Sequence, residues 1–283
     1  MRKNEFYIGY LPKAPGTLAR WLRGIIAVLL ALLSLVAVFV AGNQQPFAET
    51  YFEYGKSTQL KGVVSLTPVP RLIVKTGVDL KGQAVTKSIL LVNFGKSGAA
   101  GIFHNVEKTS GRPLTALEFT LQGSLIYGEG KVVFELTDQH ASVLDYVPLN
   151  QPYSPVKMND LGEQSIYGEI IDPKCYFGVM KPGFGKVHRS CAIRCISGGI
   201  SPVMVTKNEN GDKQFILLTA DNSATSSHKI SKLAGKPLTI NGQLTQMDDW
   251  LVLHYNEQEL AKIQHQKFVA GPLLPHQGIT ICN

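Results

Sequence analysis

The stretch Gly123–Leu136 reads GSLIYGEGKVVFEL, and Gly242–Tyr255 reads GQLTQMDDWLVLHY. They align without a gap. Each is an apolar run, a short polar turn and a second apolar run rich in β-branched or aromatic residues, the pattern of a β-hairpin. The turn residues are Gly128-Glu129-Gly130 in one copy and Asp248-Asp249 in the other. Both are solvated hairpin turns in this reading, neither a phosphate loop nor a carboxylate pair.

Working outward, the similarity extends upstream. Gly111-Arg-Pro-Leu-Thr115 matches Gly235-Lys-Pro-Leu-Thr239, Ile89–Val92 matches Phe215–Leu218, and Gly62-Val-Val64 matches Gly168-Glu-Ile170. Self-similarity at this scale means one unit used twice. Runs such as Leu60–Leu66, Arg71–Lys75, Ser88–Phe94 and Lys131–Leu136 are strand-like, with Gly, Pro, Asn and Asp between them. Five short strands per copy predict a partly open, OB-like barrel. The sequence thus predicts a mainly β chain with two tandem OB-like barrels, at residues 50–150 and 164–262. A Pro- and Asn-containing linker, Pro148–Asp160, joins them, and a tail follows over 263–283.

The copies differ in length. Gly168 to Gly235 is 18 residues longer than Gly62 to Gly111. The excess falls after Ile171, so the second barrel carries an insertion over 172–199 in the loop between its first two strands. In an OB-like barrel that loop lies on the binding face, where a site is added to a plain scaffold.

The insertion holds Cys175, Met180, His188, Cys191 and Cys195. Asp172-Pro173 ends a strand, Lys181–Gly185 is turn-rich, and Val187–Ile196 has helical alternation stopped by Gly198-Gly199. On a helix His188, Cys191 and Cys195 share one face. Thiolates and a neutral imidazole suit a soft or borderline metal. Cys175 would add a third sulfur and Met180 a thioether, so zinc, copper or a haem iron all fit the donor set. The chain has no C-x-x-C-H for covalent haem. Two other chemistries use the same residues. Cys175 can pair with one helical cysteine while Cys282 takes the other, giving a disulfide-stapled interaction module without a cofactor. A redox-active thiol pair is the third, although C-x-x-x-C lacks the usual α/β context. His254, on a strand beside Trp250 and Val252, is read as a core or surface histidine.

The run D-x-x-C, Met, H-x-x-C-x-x-x-C-I-x-x-G, ahead of GKPLTINGQL, resembles a family of exported bacterial small β-barrel domains. It spans about residues 165–255, at Asp172, Cys175, His188, Cys191, Cys195, Gly198, Gly235 and Gly242. The resemblance implies a fold and an exported setting, not a reaction.

Residues 24–42, GIIAVLLALLSLVAVFVAG, carry no charge. At 1.5 Å per residue they span about 28 Å, close to the hydrocarbon thickness of a bilayer. Arg2, Lys3, Lys13, Arg20 and Arg23 against Glu5 give residues 1–23 a net charge of +4, and the rest of the chain +3. Basic flanks stay in the cytoplasm, which predicts a single-pass helix in the cytoplasmic membrane with the barrels on its outer, periplasmic side. A cleaved leader would have a shorter apolar run and a small residue where Phe39 stands. With the charge gathered at the anchor and no stacking platform of aromatics, nucleic acid is not an expected ligand. The expected role is an accessory or binding protein, attached to the membrane and associated with a membrane-bound redox or transport complex. An enzymatic role has less support: no G-x-S-x-G, H-E-x-x-H, Walker loop or dinucleotide fingerprint is present.

Overall fold

The computed structural model describes residues 15–44, 50–78, 84–154, 158–208, 210–220, 227–258, 260 and 263. The chain divides into two compact units, Met1–Phe47 and Ala48–Asn283. The expected tail beyond residue 263, with Cys282, and residues 1–14 lie outside the described residues.

In the first unit, helix α1 (Gly16–Gly42) is long and apolar enough to cross a membrane, and none of its side chains is buried. It begins eight residues before the expected start at Gly24. Pro15 precedes its first turn, a favourable place for a residue that cannot donate a hydrogen bond. Arg20 and Arg23 turn back to the carbonyls of Gly16 and Ala19. The charged flank therefore continues the helix.

The second unit contains both barrels. The first is built from β2 (Thr58–Ser65), β3 (Arg71–Val78), β4 (Ala84–Asn93), β5 (Leu117–Gly128) and β6 (Lys131–Leu136). These close in the order β5-β2-β3-β4-β6, with β6 pairing back onto β5. Helix α2 (Ala100–Ser110) connects β4 to β5, and the short strands β1 (Thr50–Phe52) and β7 (Val143–Pro148) add to β5. The second barrel closes β8 (Asn159–Ile171), β9 (Val203–Lys207), β10 (Lys213–Ala220), β12 (Trp250–Tyr255) and β11 (Pro237–Met247), with helix α4 (Ser227–Ser231) in the place of α2. In each barrel one pair is parallel, β4 with β6 and β10 with β12, and the other pairs are antiparallel. This is the OB-like arrangement expected from the repeat.

Equivalent positions can be read from the registers. Gly62 pairs with Phe119, and Gly168 pairs with Leu238. A Cβ on Gly123 would lie 2.1 Å from the Glu135 carbonyl oxygen, and one on Gly242 2.2 Å from that of His254. These glycines hold the same close strand crossing in both copies. Glu129 and Asp248 both take positive φ, 52° and 51°, as a tight hairpin turn requires.

Two of the expected matches shift. Leu90 pairs with Val133 and Leu217 with Val252, so Ile89–Val92 corresponds to Ile216–Thr219, one residue later than the apolar runs suggest. The N–H groups of Leu91 and Leu218 accordingly bond the carbonyls of Pro70 and Pro202, at 3.0 Å in both copies. The reason is burial on both faces. Ile89 and Leu91 fill the first barrel and Ile216 and Leu218 the second, while Leu90, Val92 and Leu217 face a third apolar cluster. A strand buried on both sides loses the alternation that sets register. The Pro-Leu-Thr match also fails. Leu114 lies in a 3-10 turn, Leu114–Ala116, before β5, whereas Leu238 is the counterpart of Phe119 within β11. Only Gly111 and Gly235 keep their equivalence, both in the left-handed region after a helix.

The third cluster lies between the barrels and makes them one unit. Val69, Leu90, Val92, Ile126 and Val133 come from the first barrel, and Phe215, Leu217, Trp250 and Val252 from the second. Trp250 is fully buried, donates from Nε1 to the Ser88 carbonyl at 3.3 Å, and lies under Lys131 at 4.6 Å. Asp248 accepts from Ser88 Oγ at 2.5 Å.

A second contact brings the first barrel to the insertion. The Gly98 N–H bonds the Gly198 carbonyl at 2.9 Å. A Cβ on Gly98 would lie 2.1 Å from the Gly199 carbonyl oxygen, and one on Gly198 1.9 Å from that of Lys96. Gly198-Gly199 therefore ends a helix and also admits the neighbouring barrel's backbone. Gly98→Ala should lower stability by about 1–3 kcal/mol through overpacking against backbone. Thermal unfolding of the full chain reads this, and an unchanged midpoint would show that the contact is not made.

Candidate metal centre

The insertion occupies 172–202, between β8 and β9, where the first barrel has only 66–70. The second barrel is shorter elsewhere, since α4 has 5 residues against 11 in α2. That is why the excess legible in the sequence understates the insertion.

Strand β8 ends at Ile171, and Asp172 is fully buried at the rim. Its Oδ1 accepts the Lys174 N–H at 2.9 Å, and its backbone carbonyl accepts the Tyr176 N–H at 2.9 Å. This Asx turn starts a five-residue π-helix, Cys175–Val179, closed by Met180 N–H donating to the Cys175 carbonyl at 3.0 Å. Such wide turns recur at functional sites because they re-aim side chains. Tyr176 and Phe177 pack against Phe215, seating the turn on the second barrel.

Helix α3 (Gly185–Ser197) follows. Glu169 accepts the Gly185 N–H at 2.5 Å, placing a carboxylate at the positive end of the helix. At the other end Ser197 bonds Ser231 of α4 at 2.9 Å. His188, Ala192, Cys195 and Ile196 are buried and Cys191 is half-buried. The helical face inferred from the spacing thus points inward, towards Cys175.

Two overlapping donor sets result. The ligand atoms of Cys175, His188 and Cys191 lie within 4.8 Å of one another, as do those of Asp172, Cys175 and Cys195. Cys175 belongs to both. Its sulfur lies 3.9 Å from that of Cys191. Two sulfurs bound at ~2.3 Å to one tetrahedral ion sit about 3.8 Å apart, whereas a disulfide holds them at about 2.05 Å. The three described cysteines are free thiols. Met180 lines the same cavity and is 40% exposed.

The electrostatics are those of a site that lacks partners. Both ring nitrogens of His188 and Oδ2 of Asp172 are buried, with no hydrogen-bond partner among the described residues. Each such orphaned group costs about 1–3 kcal/mol. Burial pushes the His188 pKa down and outweighs the pull of Asp172, while Lys96 lowers it further. The imidazole is therefore neutral, the form that binds metal. The Cys175 thiol is pushed up, first by its hydrogen bond with Cys195, then by burial and by Asp172. Without a cation it stays protonated. A bound cation would reverse this, since thiols coordinate as thiolates.

Several residues of the site are invisible to sequence reasoning. Lys96, from the first barrel, donates to Cys191 Sγ at 3.4 Å. Lys174, beside Cys175, bonds the Asn93 carbonyl at 3.0 Å and the Gly95 carbonyl at 2.7 Å, and pairs with Glu135 at 2.7 Å. A cavity of about 1010 Å³ opens between the first barrel and the insertion. Cys175, Met180, Cys191 and Cys195 line it together with Phe52 and Tyr54. Only Asp172 had a signal, its D-x-x-C spacing from Cys175. Elsewhere, His254 is half-buried and hydrogen-bonded to Thr245 at 3.0 Å.

Compared with known proteins, the chain matches no family model, no curated protein and no solved structure.

Proposed function

We propose that this chain is a membrane-anchored accessory protein that binds a soft or borderline metal ion through Cys175, His188 and Cys191. It works on the outer face of the cytoplasmic membrane, beside a membrane-bound redox or transport complex. The observation that carries the reading is His188. It is buried with neither nitrogen hydrogen-bonded among the described residues, within 4.8 Å of two free thiols. A histidine kept only for packing would have a hydrogen-bond partner. The sulfur spacing supports a shared ion, and the apolar helix α1 with basic residues ahead of it supports the anchor and its orientation.

The test is elemental analysis and a visible spectrum of the full chain, purified in detergent without chelators. Bound zinc or copper is expected, with one ion per chain lost in His188→Ala and in Cys191→Ser. A Soret band would replace the free ion with haem iron. Metal-free protein without titratable thiols would overturn the proposal and leave a disulfide-stapled interaction module.

A further inference from the structure

Resting on the metal-binding reading above, we infer that the insertion holds two divalent ions bridged by the Cys175 sulfur. One ion is bound by Cys175, His188 and Cys191, and the other by Asp172, Cys175 and Cys195.

The donors are too many for one ion and are divided for two. Structural zinc takes four ligands. Here five side chains converge as two triads that meet only at Cys175. The unpartnered atoms divide the same way. The His188 nitrogens belong to one triad and Asp172 Oδ2 to the other. A single ion in the histidine triad would leave the Asp172 oxygen buried and unbound. Asp172 is also held in place for this role, because its Oδ1 accepts the Lys174 N–H while its buried Oδ2 has no hydrogen-bond partner among the described residues.

Charge is compatible with this count. When both ions bind, the three thiols release their protons to solvent, and with Asp172 the donors carry four negative charges, which two divalent ions balance. Lys96 of the first barrel donates to the Cys191 sulfur beside them. Ions each about 2.3 Å from a shared sulfur lie at most about 4.6 Å apart, so the two triads fit around one bridging atom. Each ion has three protein donors, which leaves a fourth position for an exogenous donor, as in zinc sites that act on a ligand. Cys175, Cys191 and Cys195 all line the cavity between the first barrel and the insertion, which gives such a ligand its access.

The experiment titrates the reduced, metal-free full chain with Zn(II) and with Co(II) as a spectroscopic substitute. Two ions per chain are expected, with thiolate-to-cobalt absorption. The cobalt paramagnetic signal per ion should fall as the second site fills, because the shared sulfur couples the two ions. Asp172→Asn and, independently, Cys195→Ser should each bind one ion and show no such fall. One ion per wild-type chain overturns the bridged pair while leaving the single-ion site standing. No bound ion overturns both. Two ions that persist undiminished in both variants would place the second ion elsewhere and overturn the pair.

Discussion

Replacing Lys174 with Met should lower the stability of the β unit by about 3–5 kcal/mol, the usual cost of removing one partner of a buried ion pair. The Lys174 and Glu135 side chains are 6% and 5% exposed and 2.7 Å apart. All three ammonium protons of Lys174 have acceptors: Glu135 Oε1 and the carbonyls of Asn93 and Gly95. The methionine keeps the stem packed but leaves a buried carboxylate and two carbonyls without a donor. Converting both partners, Lys174→Met with Glu135→Leu, removes the stranded charge and should recover most of the loss. Urea unfolding of the full chain, followed by Trp250 fluorescence in a Trp21→Phe background, measures both. A loss below about 1 kcal/mol for the single variant would show the pair to be solvated, as exposed pairs are. The pair also has a functional side. Lys174 adjoins Cys175 and reaches residues of the first barrel, so breaking it should loosen the insertion against the wall that supplies Lys96.

A comparable effect is expected from the metal itself. An ion that binds only the folded chain stabilises it by about 4 kcal/mol at a thousand times its Kd. For a unit of this size that raises Tm by roughly 10 °C. Zinc should therefore raise the Tm of the wild-type chain and leave Cys175→Ser nearly unmoved, because Cys175 is common to both donor sets. The comparison removes the intrinsic cost of the substitution, since each protein is its own metal-free reference. Equal shifts in both chains would show that zinc binds outside the insertion.

The parts of this protein that were legible in advance are those governed by local rules. The hairpins at 123–136 and 242–255 announced themselves through alternation and turn residues, and the structure pairs them as read. The inward face of α3 followed from helical spacing alone. The register of β4 against β10 was not legible, because Ile89–Val92 and Ile216–Leu218 are apolar on both faces and carry no alternation to count. The length of α1 was understated for a related reason: a charge count marks where an apolar span stops, not where backbone hydrogen bonding does.

By itself, the amino-acid sequence determined one apolar helix, a β unit used twice, and an insertion in the second copy that carries Cys175, His188, Cys191 and Cys195. Each of these depends on periodicity or spacing within a few residues. Only the tertiary structure decided that the two barrels pack as one unit, that Lys96 and Glu135 of the first meet Cys191 and Lys174 of the second, and that Cys175 stands between two donor sets. Those pairings join side chains up to 95 residues apart. They exist because the outer faces of β4, β6, β10 and β12 bury each other's apolar surface, and that burial carries the polar groups on neighbouring loops into contact.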